Sequence, residues 1–311
     1  MRILVTGGGG YLGANLVEMF LDLDEVESVI VYDNFSRKCF SVLSLLNDIH
    51  QSKLEIQCSD LLDNKSLHQT LQNVDVIIHL AAVCRTPFND ENPQFFDQVN
   101  HWGTAALVGE LDKITTSKKV LFASSGSIYG RTDSEATTTT IPHPVTSYAR
   151  SKLAGETQMK RLKGKHSVAI YRFGNVFGIG KSMRFDAVIN KFFLESIFSK
   201  PLKVEGDGTQ RRPFVPLNSA ISMIKKYVFE DFQGVFNINT HNWSINEILD
   251  GYRNIFNQTE IIHINQNEVL GGLNMTPSQL VLDSQTEFMN KSFSYYLNSM
   301  VDEFKVVNCG L

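Results

Sequence analysis

The chain has 311 residues, 42% of them hydrophobic and 20% charged, which excludes a disordered chain and suits two domains or one large α/β unit. Twenty-nine Lys and Arg against 33 Asp and Glu leave a formal charge of −4, so no global basic field draws it to nucleic acid. Ile3-Leu4-Val5 reads as a buried strand, followed by a helix pattern from Tyr11 to Leu23. Val29–Tyr32 is the next strand, with a helix pattern around Val42–Ile49. Leu54–Ile56, Val74–Ile78, Val120–Ala123 and Val168–Tyr171 complete six short apolar strands. Such runs separated by helices predict a parallel sheet covered on both faces, a doubly wound α/β fold. After about Phe173 the alternation stops. A helix at Ala187–Phe198, strand-like pieces at Leu202–Val204 and Phe214-Val215, and a helix at Phe293–Phe304 predict a smaller α+β region.

Cys39, Cys58, Cys84 and Cys309 are never spaced as C-x-x-C, which points to free thiols in a reducing compartment and to no metal site. No run approaches the ~18 apolar residues of a membrane span. Met1-Arg2 run straight into the first strand without a signal peptide's apolar region. A cytoplasmic protein with no membrane and no nucleic-acid partner is expected.

The first strand ends in Thr6-Gly7-Gly8-Gly9-Gly10-Tyr11-Leu12-Gly13 and opens a helix. Glycines suit a tight turn that lets a pyrophosphate reach a helix N-terminus, so a dinucleotide site is expected. Both Gly8-x-Gly10-x-x-Gly13 and Gly7-x-x-Gly10-x-x-Gly13 are satisfied. Asp33 ends the second strand twenty residues beyond Gly13, where a carboxylate bonds ribose hydroxyls and repels a 2′-phosphate. That favours NAD over NADP, although Arg37 and Lys38 lie close enough to blunt the preference. Tyr148 and Lys152 stand at i and i+4, one turn apart on a helix face. A tyrosine is a poor base near neutrality, and a lysine ammonium beside it favours the phenolate. Ser124–Gly130 follows the fifth strand, placing hydroxyls at the sheet edge where this fold class holds ligands.

Taken together, these segments resemble the extended short-chain dehydrogenase/reductases. Within them the likeness is to NAD-dependent nucleotide-sugar epimerases and dehydratases of the UDP-glucose 4-epimerase kind. The glycine turn, Asp33-Asn34, Asp60-Leu61, His79–Ala82, Asn100, Ser125…Tyr129-Gly130, Tyr148…Lys152, Arg172–Gly178 and Gly206–Phe214 follow in family order. The resemblance implies a Rossmann domain over 1–172, with 213–240 returning to it, and a nucleotide-sugar region over 173–212 and 241–311. It implies NAD held by Gly7, Gly10, Tyr11, Leu12, Gly13, Asp33, Asn34, Asp60, Leu61, Leu80, Ala81, Ala82, Asn100, Tyr148 and Lys152. It makes Tyr148 the acid/base, with Lys152 tuning it and Ser125 bonding the reacting sugar oxygen. Asn175 and Arg212 would contact the nucleotide diphosphate. A homodimer is implied as well, pairing the 92–111 stretch and the Tyr148 helix, with Leu107, Leu153 and Met159 buried between subunits.

The departures carry information. Family 4,6-dehydratases have Asp-Glu after the active-site hydroxyl residue; here those positions are Gly126 and Ser127, neither an acid near neutrality. Pro216 and Asn218 also depart from the family pattern. Cys84 reads as core or loop filler, and His79, His101 and His143 as structural. The reading is therefore an NAD-dependent nucleotide-sugar 4-epimerase working through a transient 4-keto sugar. A C4 oxidase or 4-keto reductase on a nucleotide-linked sugar, and a low-turnover NAD-holding binding protein, are the alternatives.

Overall fold

The computed structural model describes residues 1–46, 50, 52–84, 92–132, 134–256, 259–265 and 271–309. The six apolar runs form β1 (Arg2–Thr6), β2 (Ser28–Asp33), β3 (Leu54–Cys58), β4 (Val76–His79), β5 (Lys119–Ser125) and β6 (Ser167–Phe173). Shorter strands follow: β7 (Asn175–Phe177), β8 (Leu202–Glu205), β9 (Arg211–Pro216), β10 (Gly234–Ile238), β11 (His241–Ser244) and β12 (Ile261–Ile264). β10 returns to the large sheet beside β6, giving seven parallel strands in the order β10-β6-β5-β4-β1-β2-β3. β11-β9-β7 and β12-β8 are separate small sheets.

Ten helices are described: α1 (Tyr11–Leu21), α2 (Asn64–Gln72), α3 (Pro93–Phe96), α4 (Gly103–Leu111), α5 (Ser147–Lys160), α6 (Val188–Ile197), α7 (Leu217–Phe229), α8 (Ile245–Ile255), α9 (Gln279–Met289) and α10 (Phe293–Cys309). The two-residue period of the strands divides the core. Ile3, Val5, Val29 and Val31 pack with α1 and α7 through Leu16, Val17, Met223 and Ile224. Leu4, Ile30, Ile77 and Val120 pack on the other face with Leu67, Leu107, Val108 and Met159. The sheet is thus doubly wound, and its strand order reverses between the adjacent parallel strands β1 and β4. Ligands of open α/β sheets bind at such a switch, beyond the strands' carboxyl ends. The second region has an aromatic core of its own, with Phe177, Phe214, Trp243 and Tyr296 meeting mostly edge to face.

Three expectations need correction. The helix around Val42–Ile49 is a 3₁₀ turn over Ser41–Leu45, with Leu43 and Leu46 exposed; Ile49 lies outside the described residues. Val42 and Leu45 face the core while Leu43 and Leu46 face solvent, so the buried side of this turn is only two residues long. Leu107 and Met159, expected between subunits, are wholly buried inside one protomer, and Leu153 packs against a small internal cluster. Their helical spacing marked the sheet-facing side. The 92–111 stretch is also not one helix, since π-type turns over Asp97–Trp102 join α3 to α4. No helix among the described residues is long and apolar enough to cross a membrane.

Candidate active site

The glycine turn has the shape a pyrophosphate needs. Gly7 has φ +71°, and a Cβ on Gly13 would collide with the Gly7 carbonyl, so both positions demand glycine. α1 starts after Gly10 with no side-chain cap, leaving first-turn N–H donors for an anion. Asp33 closes the turn: Gly9 N donates to its Oδ2 at 2.9 Å and Phe35 N to its Oδ1 at 2.8 Å. Asn34 Nδ2 donates to Asp60 Oδ2 at 2.7 Å, bringing the ends of β2 and β3 together. Tyr11 is buried and donates to the Gly178 carbonyl at 2.6 Å. Leu12 packs against the core, and Ala81 N reaches Thr6 Oγ1 at 3.3 Å. Leu80 and Ala82 continue that edge after β4, half-buried. These residues fit NAD, with a cradle for its diphosphate and a carboxylate at the ribose position.

Leu61 and Asn100 stand differently. Leu61 is buried in the core, its side chain against Gly103 at the start of α4. Asn100 accepts from Val83 N at 2.7 Å and donates to Val83 O and Ser151 Oγ, both at 3.0 Å. Its side chain is used in tying the loop after β4 to α5. Both residues shape the site from beneath.

The reacting corner lies at the carboxyl end of β5. α5 is started by Thr146, whose hydroxyl accepts from Ala149 N at 3.1 Å, and this sets Tyr148 in the first turn and Lys152 in the second. Lys152 is buried and donates to the Ala123 carbonyl at 2.8 Å. Burial brings its pKa down to about 8, with Cys84 and Glu156 pulling the other way. Burial holds the Tyr148 phenol well above its ordinary range, and Cys84 raises it further, while Arg184 and Ser125 favour the phenolate. Ser125 Oγ accepts from Ser127 Oγ at 2.9 Å and from Ser127 N at 3.2 Å.

Cys84 is therefore no filler. It is half-buried at the Tyr148 hydroxyl, and Arg184 Nη1 donates to its sulfur at 2.9 Å. Asp186 clamps Arg184 through two bonds, of 2.7 and 3.1 Å. Sequence reasoning missed Arg184 and Asp186. Their signal was weak: a charged pair two apart, in the stretch that follows the Arg172–Gly178 motif. Arg184 also supplies the cation that acts on Tyr148 here, a part expected of Lys152.

Two further features hold this corner. Glu156, one turn beyond Lys152, forms a buried ion pair with Arg172 at 2.8 Å. Ser182 Oγ donates to Gly9 O at 2.8 Å and meets Ser41 Oγ at 2.6 Å, tying the 178–186 stretch across the glycine turn. Asn175 Nδ2 donates to Pro213 O at 3.1 Å, and Arg212 lies on the adjacent strand β9. His79 is structural: both ring nitrogens are bonded, to Thr6 at 2.7 Å and Thr104 at 3.0 Å. Pro216 is buried before α7, while Asn218 is exposed.

Comparison with known proteins agrees with this geometry. The model of the NAD dependent epimerase/dehydratase family matches residues 3–238. A UDP-N-acetyl-alpha-D-glucosaminuronate decarboxylase of Bacillus cytotoxicus is 28% identical over 280 residues, covering 85% of this chain and 83% of its own. A UDP-glucose 4-epimerase of Mycolicibacterium smegmatis is 27% identical over 227 residues, 71% of each chain. A crystal structure of UDP-glucuronic acid 4-epimerase from Bacillus cereus, with UDP-glucuronic acid and NAD, superposes with a TM-score of 0.84. It is 24% identical and covers 99% of this chain and 100% of its own.

Proposed function

We propose that this chain, which belongs to the NAD dependent epimerase/dehydratase family, is a nucleotide-sugar epimerase acting at C4. The observation that carries this reading is the ground beside Ser125. Gly126 carries no side chain, and a Cβ added there would lie 2.5 Å from Met275 Sδ, so a carboxylate would have to displace that buried methionine. Ser127 is turned onto Ser125. Elimination of water from the sugar needs an acid at the leaving oxygen, and this loop offers none.

When bound, NAD supplies reversible hydride exchange with C4 and ends each cycle in the state in which it began. Tyr148 Oη takes the proton of the 4-hydroxyl as the C4–H electron pair leaves, which gives a C4 ketone. After the sugar presents its other face, the same phenol returns that proton to the 4-oxygen. Ser125 Oγ bonds that oxygen throughout. The Arg184 charge favours the phenolate, the Lys152 ammonium holds the cofactor, and burial keeps water from the ketone. In this reading residues 1–172 with 213–240 hold NAD. Residues 173–212 and 241–311 hold the nucleotide sugar, with Asn175 and Arg212 at its diphosphate. The named activities of the epimerase relatives support C4 chemistry; the decarboxylase relative is named for a different reaction.

The test is incubation with UDP-glucose, UDP-galactose and UDP-glucuronic acid in deuterated water, with no cofactor added, followed by NMR. Interconversion of C4 epimers without deuterium at C5 is expected. A 6-deoxy-4-keto product, release of carbon dioxide, or a halt after one equivalent overturns the reading, in favour of a dehydratase, a decarboxylase or a one-way oxidoreductase respectively.

A further inference from the structure

Arg212 and Arg131 meet over one peptide. Arg212 Nη1 donates to the carbonyls of Arg211 and Gly271, each at 2.8 Å. Arg131 follows Gly130, whose φ of +71° turns the chain back, and its side chain lies over the same Gly271. A Cβ at Gly271 would collide with Arg131 Cδ and stand 2.9 Å from its Nε, so a larger residue there would push the Arg131 side chain out of this place. Among the described residues no carboxylate forms an ion pair with either arginine. The neighbouring Arg211, by contrast, pairs with Glu247 at 3.0 Å.

The arrangement is held from both sides. Thr132 N donates to Gly272 O at 3.3 Å, and Leu273 N to Arg211 O at 3.0 Å, so both arginine-bearing segments are fastened to the 271–273 backbone. Burial, and then the Arg131 charge, hold the Arg212 guanidinium below its ordinary value. Two cations kept together, one of them half-buried, cost free energy that an anion between them would offset. Guanidinium groups suit phosphate oxygens because their N–H donors form a planar fork. The place is also right. Met275, four residues beyond Gly271, packs on Gly126 next to Ser125, so the pair lies within a short span of the reacting corner.

We propose that Arg131 joins Arg212, which the function proposed above already places at the diphosphate, as a second arginine for that group, and that Arg131 is a specificity-setting residue that sequence spacing did not indicate. That the diphosphate belongs to a nucleotide sugar rests on the function proposed above. Arg212 supplies the half-buried, fixed donor. Arg131 closes the site from the exposed loop after Tyr129.

The experiment uses protein saturated with NAD, so that the glycine turn is filled. Wild type, Arg131→Gln and Arg131→Lys are titrated calorimetrically with inorganic pyrophosphate and with UDP. Arg131→Gln is expected to weaken both by about tenfold or more, as for loss of a charged hydrogen bond, and Arg131→Lys to recover part. Without anion, Arg131→Gln should melt no lower than wild type, since a repulsion is removed; a merely structural arginine would lower it. With sugar substrate, KM should rise while kcat holds. Equal pyrophosphate affinity in wild type and Arg131→Gln, or no pyrophosphate binding by wild type, overturns the proposal. Pyrophosphate binding that depends on Arg131, with no binding of UDP or other nucleoside diphosphates, upholds the anion site and overturns the nucleotide-sugar reading alone.

Discussion

Glu156→Gln should cost more stability than any exposed substitution, and it should move the enzyme's pH profile as well. The carboxylate is wholly buried; it accepts from Arg172 Nε at 2.9 Å, Arg172 Nη2 at 2.8 Å and Ser124 Oγ at 2.6 Å. Glutamine keeps the shape and removes the charge, leaving the buried Arg172 cation without its counter-ion. Breaking such a pair from one side costs about 3–5 kcal/mol, against a total stability of about 5–15 kcal/mol. At about 2 °C or slightly more per kcal/mol for a long chain, the melting temperature should fall by roughly 6–12 °C. Arg172→Met combined with Glu156→Leu removes both charges and should return much of that loss. The return is incomplete because Arg172 also donates to Tyr129 Oη at 2.7 Å and Thr138 O at 3.2 Å. The second effect is electrostatic. Glu156 helps keep Lys152 protonated, and Lys152 titrates at about 8. Activity that needs the ammonium falls as pH rises through that value, and without Glu156 the fall should begin at lower pH. Differential scanning calorimetry and a pH series of kcat/KM read the two effects separately. A loss below about 1 kcal/mol would refute the energetic reasoning. An unmoved alkaline limb would refute the electrostatic link.

Tyr148→Phe should lower turnover by about 10²–10⁴-fold and leave NAD bound, as measured by rate and by the cofactor content of denatured protein. Asp33→Ala should narrow the preference for NAD over NADP in calorimetric titrations of stripped protein, because the carboxylate that repels a 2′-phosphate is gone. Ser182→Ala removes the bonds to Gly9 O and Ser41 Oγ, and NAD should leave about two- to tenfold faster in a fluorescence displacement assay. Burial lowers the pKa of His79 to about 3 in the folded chain, against 6.5 unfolded. The unfolded state therefore binds more protons between those values, so stability should fall as pH drops from 6.5 towards 3, at up to about 1.4 kcal/mol per unit. Urea denaturation across that range checks it; His79→Gln should flatten the slope.

The sheet was legible because its signal is local. Ile3, Val5, Val29 and Val31 share one face and Leu4 and Ile30 the other, a period that needs no tertiary knowledge. The glycine turn was legible for the same reason, since helix start, strand end and glycines are contiguous. The Tyr148–Lys152 pair followed from helix spacing alone. What failed was whatever depends on partners far along the chain. The spacing of Leu107 and Met159 shows that they share a buried side, but not whether a sheet or a second subunit covers it. Cys84 gained its place from Arg184, one hundred residues away, and Arg131 from Gly271, farther still. Neither loop has a period to read. Gly126 was noticed as a missing acid, yet the side chain that packs on it, Met275, lies in a segment the family pattern barely reaches.

The 178–186 stretch joins the two halves of the chemistry. At one end Gly178 O accepts from Tyr11, Asn15 and Lys181 exchange two bonds of 3.0 Å, and Lys181 pairs with Glu18 at 2.8 Å. Ser182 then crosses Gly9, and two residues later Arg184 reaches Cys84 and Tyr148. One short segment is thus fastened to the cofactor turn and places a cation at the acid/base. A fastening of this kind suits an epimerase more than a dehydrogenase. A dehydrogenase must open its cofactor site in every cycle to exchange the reduced form. An epimerase restores NAD within the cycle, so bonds that slow release cost it nothing. The same bonds hold Arg184 in register with the phenol, where a displacement near 1 Å can cost about a hundredfold in rate. Under the proposed function, retention of the cofactor and placement of the charge on Tyr148 are two consequences of one loop.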